Sequence, residues 1–180
     1  MNRNEILKLP IGVQLLDLEP HHDERGTFIE VFRQNWSPDA IFLQWNLVHS
    51  SPNTLRGVHV HHAHADYLTA VNGRMTVGLK DLRQQSPTEN LAVTVELTAQ
   101  KSQVLLIPPG VAHGFWFAEA ATHLYAVSHY WNTADELGCR FDDPDLGFGW
   151  GNLAPKLSLK DQHLPSLKAL RQNHPIVYLP

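Results

Sequence analysis

The chain is poor in cysteine, in long apolar runs and in net charge, and each shortage removes a class of protein. Cys139 is the single cysteine among 180 residues. No internal disulfide and no cysteine-rich zinc site can form from it, and a reducing compartment is expected. No apolar stretch approaches the ~20 residues of a membrane-spanning helix. The first eight residues lack the apolar segment of a signal peptide, so a cytoplasmic location is expected. Eighteen acids against fourteen bases give a net charge of -4, which offers no basic face to nucleic acid. Internal repeats, low-complexity tracts and linkers are also missing.

What is present is globular composition, 43% apolar and 18% charged, in a length that can bury one real core. A single domain over residues 1–180 is expected, with an N-terminal arm over about 1–11 and a helical C-terminal tail over about 156–180. Short apolar or alternating runs, broken by turn residues, read as strands over 12–18, 27–32, 41–48, 67–71, 74–79, 91–97, 103–107 and 123–128. Asn72-Gly73 predicts a β-hairpin between two of them, and Pro108-Pro-Gly110 a tight turn. Helical periodicity is confined to 133–137 and to 158–170. Many short strands with regular turns imply an all-β jelly roll with short peripheral helices, whose mouth can hold a ligand.

Histidine is the residue in excess. There are 12, and four fall between His59 and His64. Residues two apart on a strand share a face, so His59 and His61 point the same way. His113 follows the Pro-Pro-Gly turn and can reach the same cavity. His62 and His64 are expected to face solvent. His59, His61, Asp66, Gly73, Pro108, Gly110 and His113 fit the spacing of a cupin metal site, with Asp where Glu is usual. Three imidazoles and a carboxylate suit iron, manganese, nickel or zinc.

A second reading covers more of the chain. Asp23-Glu-Arg-Gly26 with Phe28 and Glu30, Gln44-Trp-Asn46, Leu55-Arg-Gly-Val-His59, Asp81-Leu-Arg-Gln-Gln-Ser-Pro87 and Ile107-Pro-Pro-Gly-Val-Ala-His-Gly-Phe115 occur in order. Leu124-Tyr125, Asp142-Asp-Pro-Asp-Leu146 with Trp150, and Leu157-Ser-Leu-Lys-Asp161 follow. From about Gly12 to Trp150, and again at 157–161, the chain resembles the dTDP-4-dehydrorhamnose 3,5-epimerase family. The resemblance implies an all-β double-stranded β-helix of the cupin type, a metal-independent enzyme without a cofactor, a homodimer exchanging strands through the stretch before Gly12, and a dTDP-linked keto-sugar as substrate. It does not imply nucleic-acid or membrane partners. By resemblance His59 is the base, oriented by Asp161, and Tyr125 is the acid that returns the proton. Arg56 and His113 match the groups around the enolate, and Arg25 and Lys160 match diphosphate contacts. Glu30, Gln44, Asn46 and Glu136 match polar contacts to the nucleotide sugar, and Trp131 an aromatic stacked on the base.

The match has gaps. Asp66 stands where the family usually has lysine, and Val60-His61 where an aromatic-glutamine pair is usual. Both changes move the site toward the metal pattern. Three readings therefore stand side by side: an epimerase inverting C3, C5 or both; a metal-dependent cupin enzyme with His59, His61, Asp66 and His113 as ligands; and a sugar-nucleotide-binding homologue without chemistry.

Overall fold

The computed structural model describes residues 8–37, 40–150 and 153–179. Most of the expected N-terminal exchange segment, residues 1–7, lies outside them. Twelve strands lie among the described residues: β1 (Gln14–Asp17), β2 (Pro20–Asp23), β3 (Gly26–Ile29), β4 (Gln44–Ser50), β5 (Thr54–Val60), β6 (Asp66–Asn72), β7 (Arg74–Asp81), β8 (Ala92–Thr98), β9 (Gln103–Ile107), β10 (Val111–Phe117), β11 (Ala121–Val127) and β12 (Leu137–Gly138). One antiparallel sheet has the order β1-β9-β6-β11-β4 and the other β12-β5-β10-β7-β8, while β2 and β3 pair apart from both. This is the jelly roll that the turn spacing implies, of the cupin type that the resemblance implies.

The expected hairpin at Asn72-Gly73 is not one. β6 pairs with β9 and β11, whereas β7 pairs with β8 and β10. The turn is a corner at which the chain leaves one sheet for the other. Gly73 has φ 72° there, and a Cβ would lie 2.7 Å from the Ala120 carbonyl oxygen. Glycine is thus required by the close approach of the next corner as well as by the turn. Local sequence signals a reversal, and only sheet pairing distinguishes a hairpin from a crossover.

Alternation explains where the core sits. Leu68 and Ala70 of β6, Met75, Val77 and Leu79 of β7, Leu105 and Ile107 of β9 and Phe117 of β10 fill the space between the sheets. Each fully buried leucine there contributes roughly 1.5–3 kcal/mol. The outer face of the second sheet is also buried: Val58, Val60 and Ala112 meet Cys139, Leu146, Leu167 and Leu170. Burial pushes the Cys139 thiol up to about 12, consistent with a structural, unreactive residue. Leu167 and Leu170 lie in the tail, where helical periodicity spans 158–170. The tail forms two helices, α1 (Leu159–Gln162) and α2 (Leu167–Asn173), because Pro165 cannot continue a helix. Each half keeps its own serine cap. Ser158 Oγ accepts from Asp161 N at 3.0 Å, and Ser166 Oγ from Ala169 N at 3.2 Å. The other predicted helical stretch is a single 3-10 turn, Thr133–Asp135, leading into β12.

Candidate active site

Where the apolar filling stops, the sheets enclose a cavity of about 250 Å³. Its walls follow from the same alternation. On β11, Ala121 belongs to the core, and His123, Tyr125 and Val127 at steps of two turn into the cavity. Their cross-strand neighbours on β4 are Val48, Asn46 and Gln44. Val48 lines the cavity, and Gln44 and Asn46 continue its face, with Gln44 Nε2 donating to Asn46 Oδ1 at 3.0 Å. On β5 simple alternation fails: Arg56 and His59 both line the cavity although three apart. The cause is a register irregularity against β10 between His113 and Gly114. Gly57 sits opposite it with φ 101°, and a Cβ there would lie 2.9 Å from the His113 carbonyl. Bulges of this kind re-aim side chains at sites.

The tail supplies the partner for His59. Capped by Ser158, the first turn of α1 holds Asp161 with Oδ1 2.7 Å from His59 Nε2 and Oδ2 3.4 Å from Gly57 N. Burial pushes the Asp161 carboxyl up, but hydrogen bonds from His59, Ser158 and the Gly57 amide, with the charge of His59, outweigh it and hold it below the usual range. A carboxylate only accepts, so Nε2 carries the proton and Nδ1 is left facing other groups. Nδ1 is 3.9 Å from Glu136 Oε2, which in turn accepts from Lys160 Nζ at 2.7 Å. Tyr125 lies in the opposite sheet. Burial first, then the charges of Asp66 and Glu136, raise its phenol above the ordinary value, so it keeps its proton at neutral pH. Arg56 lines the cavity with Nε bonded to Ser50 Oγ at 3.0 Å.

Trp131 lines the cavity half exposed, its backbone N donating to Gln44 Oε1 at 3.0 Å. His113 is buried in the wall, but its ring has a definite polarity. Nδ1 lies 3.1 Å from the Val111 carbonyl and must donate to it, so Nε2 presents a lone pair. Burial, then His61, holds its pKa well below 6.5. With Nδ1 donating to the Val111 carbonyl, Nε2 is the nitrogen left to face the cavity.

Two residues matched to substrate contacts are not brought to the cavity of their own chain. Arg25 projects from the β2–β3 ribbon, exposed and paired with Asp23, and Glu30 is paired with Arg33. Among the described residues β2 and β3 pair only with each other, and all but the half-buried Ile29 are exposed.

His62 is exposed as expected, but His64 is buried and lines the cavity. The cause is Asp135, which accepts from the His62 amide at 2.7 Å and the Ala63 amide at 3.3 Å and lies 3.1 Å from His64 Nδ1. That clamp turns the loop after β5 inward and stacks His64 on His61 with ring centroids 3.8 Å apart. A loop has no periodicity, so sequence held no signal for this. His123 was also missed, although its step of two from Tyr125 would have found it. The metal reading divides here: His59 is committed to Asp161, while His61, Asp66 and His113 come together. Burial first, then the charges of Glu136 and Asp135, pushes the Asp66 carboxyl well above the usual range. Burial, then His64, lowers His61 to about 4.

Comparisons with known proteins point to one family. The profile of the dTDP-4-dehydrorhamnose 3,5-epimerase family matches residues 8–169. A dTDP-4-dehydrorhamnose 3,5-epimerase of Neisseria gonorrhoeae is 36% identical over 157 residues, 83% of this chain but 48% of that protein, so this chain spans about half its length. The enzyme of the same name from Salmonella typhimurium is 33% identical over 165 residues, covering 86% of this chain and 90% of that one. A dTDP-6-deoxy-D-glucose-3,5-epimerase from Legionella pneumophila, solved in complex with dTDP-4-keto-L-rhamnose, superposes with a TM-score of 0.84 at 25% identity over 93% of this chain and 94% of that one. No helix among the described residues is long and apolar enough to cross a membrane. With the jelly roll, the histidine–aspartate pair in its mouth and a profile match over most of the sequence, the chain belongs to the dTDP-4-dehydrorhamnose 3,5-epimerase family.

Proposed function

We propose that this chain is an isomerase that inverts C3, C5 or both in a dTDP-linked 4-keto-6-deoxy sugar. The observation that carries the reading is the His59–Asp161 pair in the cavity, with Tyr125 on the facing sheet. A 4-keto group acidifies the C–H bonds at C3 and C5. His59 Nδ1, the nitrogen not engaged by Asp161, takes the proton, and the electron pair moves into an enolate whose oxygen is met by the Arg56 guanidinium. Tyr125 returns a proton to the other face of the carbon from its phenol, which burial keeps protonated. Asp161 fixes the tautomer of His59 and balances the positive charge that develops on it.

Lys160, Glu136, Gln44, Asn46 and Trp131 are proposed to hold the nucleotide end. Arg25 and Glu30 enter the same role from a second copy of the chain. Two features support a homodimer: the β2–β3 ribbon stands away from both sheets with Phe28 exposed, and the edge strand β4 presents Trp45 and Leu47 outward beside Ile41 and Leu43. An apolar row on an open sheet edge is a surface that calls for cover.

The test is incubation of chelator-treated protein with dTDP-4-keto-6-deoxyglucose in D2O, following deuterium at C3 and C5 by NMR. Exchange at one or both carbons is expected, and the pattern separates single from double inversion. Absence of exchange, with dTDP still bound, would replace the enzyme by a binding homologue.

A further inference from the structure

The cavity wall carries a second polar cluster, which the proposed proton transfers leave unused and which turns acceptors toward the substrate. His61 Nδ1 is 2.9 Å from the Asp135 carbonyl, and His113 Nδ1 is 3.1 Å from the Val111 carbonyl. Carbonyl oxygens only accept, so both Nδ1 atoms carry the proton and both Nε2 atoms present lone pairs. His64 Nδ1 lies 3.1 Å from an Asp135 carboxylate oxygen, which leaves its Nε2 in the same state. The Nε2 atoms of His61, His64 and His113 lie 3.9, 3.9 and 3.8 Å from a single atom, Asp66 Oδ2.

All four residues line the cavity and are buried, between 3% and 5% exposed. Among the described residues no lysine or arginine pairs with Asp66. The two cations of the cavity are bonded elsewhere, Arg56 to Ser50 and Lys160 to Glu136. Burial disfavours the charge of Asp66, and a cation seated against it reverses that. A ligand for this cluster must therefore bring its own donors and its own positive charge. The spacing selects the kind of cation. A metal ion held tetrahedrally at about 2.1 Å needs ligand atoms about 3.4 Å apart, closer than these. An ammonium group donating at about 2.9 Å reaches acceptors about 4.7 Å apart. One acceptor atom from each of His61, Asp66 and His113 lies within 4.8 Å of the others.

We propose that His61, Asp66 and His113 bind a protonated primary amine on the sugar ring, so that the substrate is a dTDP-linked 4-keto-6-deoxy sugar with an amino group at C3. Naming the sugar rests on the proposed epimerase reading, and the ammonium site itself does not. The position follows from the chemistry beside the ketone. C5 carries the methyl group, which neither donates nor accepts, and C3 is the neighbour that bears a heteroatom. His64 stacks on His61 and closes one side of the site. The same charge reversal explains a departure from the family: lysine at position 66 would repel the amine that aspartate attracts.

The experiment is calorimetry at pH 7 with three ligands that carry a hydroxyl in place of the ketone: dTDP-3-amino-3,6-dideoxyglucose, its N-acetyl derivative and dTDP-6-deoxyglucose. Wild type is expected to bind the amino sugar at least tenfold more tightly than the 3-hydroxy sugar, the scale of one charge-assisted hydrogen bond. Acetylation removes the charge and should abolish the preference, a comparison that needs no variant. Asp66→Asn should bring the amino and hydroxy sugars within about twofold of each other, with unchanged affinity for dTDP showing that the variant folds. Equal affinity of wild type for the amino and hydroxy sugars, a preference that survives acetylation or Asp66→Asn, or binding of none of the three overturns the site. Deuterium exchange tests the other reading separately. Exchange without an amine preference would overturn the site and leave the epimerase standing. An amine preference without exchange in a 4-keto sugar, with or without the amine, would do the reverse.

Discussion

Two neighbouring histidines, His59 and His61, open onto the same cavity and meet opposite fates. Around His59 the hydrogen bonding is complementary. Its Nε2–H meets Asp161, the Asp161 amide is capped by Ser158, and Glu136 is held by Lys160. Around His61 it is not: three imidazole nitrogens and a carboxylate oxygen face one another at 3.8–3.9 Å. The first half is the one proposed to move a proton, and the second has no such pairing. The difference arises from what packs behind each ring. Helix α1 brings a carboxylate against His59, whereas the Asp135 turn takes the Nδ1 proton of His61 with a backbone carbonyl and leaves its lone pair inward.

The sharpest way to break the contrast is His59→Asn. C–H exchange should fall roughly 10³–10⁴-fold, the scale of a lost general base, while dTDP affinity by calorimetry stays within about threefold. A small loss of exchange would mean that the proton-moving half has been assigned to the wrong ring.

Asp161→Asn should cost about 10²-fold in exchange by releasing the His59 tautomer. It carries a second readout. The folded Asp161 carboxyl is held below its ordinary value, so its contribution to stability is present above the unfolded pKa of about 3.9 and is lost as pH falls through the lower folded value. The gap in melting temperature between wild type and Asp161→Asn should be widest near neutrality and close below about pH 4. A gap independent of pH would mean that the carboxylate charge contributes nothing to the fold.

Tyr125→Phe should separate the two proton transfers. Deuterium exchange at the carbon facing His59 persists, while net inversion, read from the coupling constants of the sugar ring, falls about 10–10²-fold. Equal loss of both would make Tyr125 a packing residue. Asp135→Asn probes the other half through its support: weakening the hold on the His62 and Ala63 amides should cost roughly 1 kcal/mol of stability, read by thermal melting. The smallest effect is expected for His62→Ala. Its side chain is exposed and only its amide meets Asp135, so stability should change by less than about 0.5 kcal/mol.

Much of the site was readable because strands carry a period of two. The His59–His61 relation and the strand bearing Tyr125 follow from residue spacing alone. The family resemblance added Asp161, which by itself reads as a capped helix start. What could not be read depended on elements remote in sequence. Gly57 disturbs the alternation on β5 through its crowding against β10. His64 turns inward because Asp135, 71 positions further on, takes its neighbours' amides. Arg25 and Glu30 sit in recognisable motifs, yet the ribbon that bears them pairs with neither main sheet.

The sequence by itself determined the strand-rich jelly roll, the chemical types available in its mouth and the family, because these depend on local periodicity, turn residues and ordered motifs. Tertiary structure alone decided which sheet each strand joined, that Asn72-Gly73 was a crossover, and which partner each histidine received. Those outcomes rest on contacts between segments tens of residues apart, where hydrogen-bond pairing and close packing, rather than any local propensity, select one arrangement.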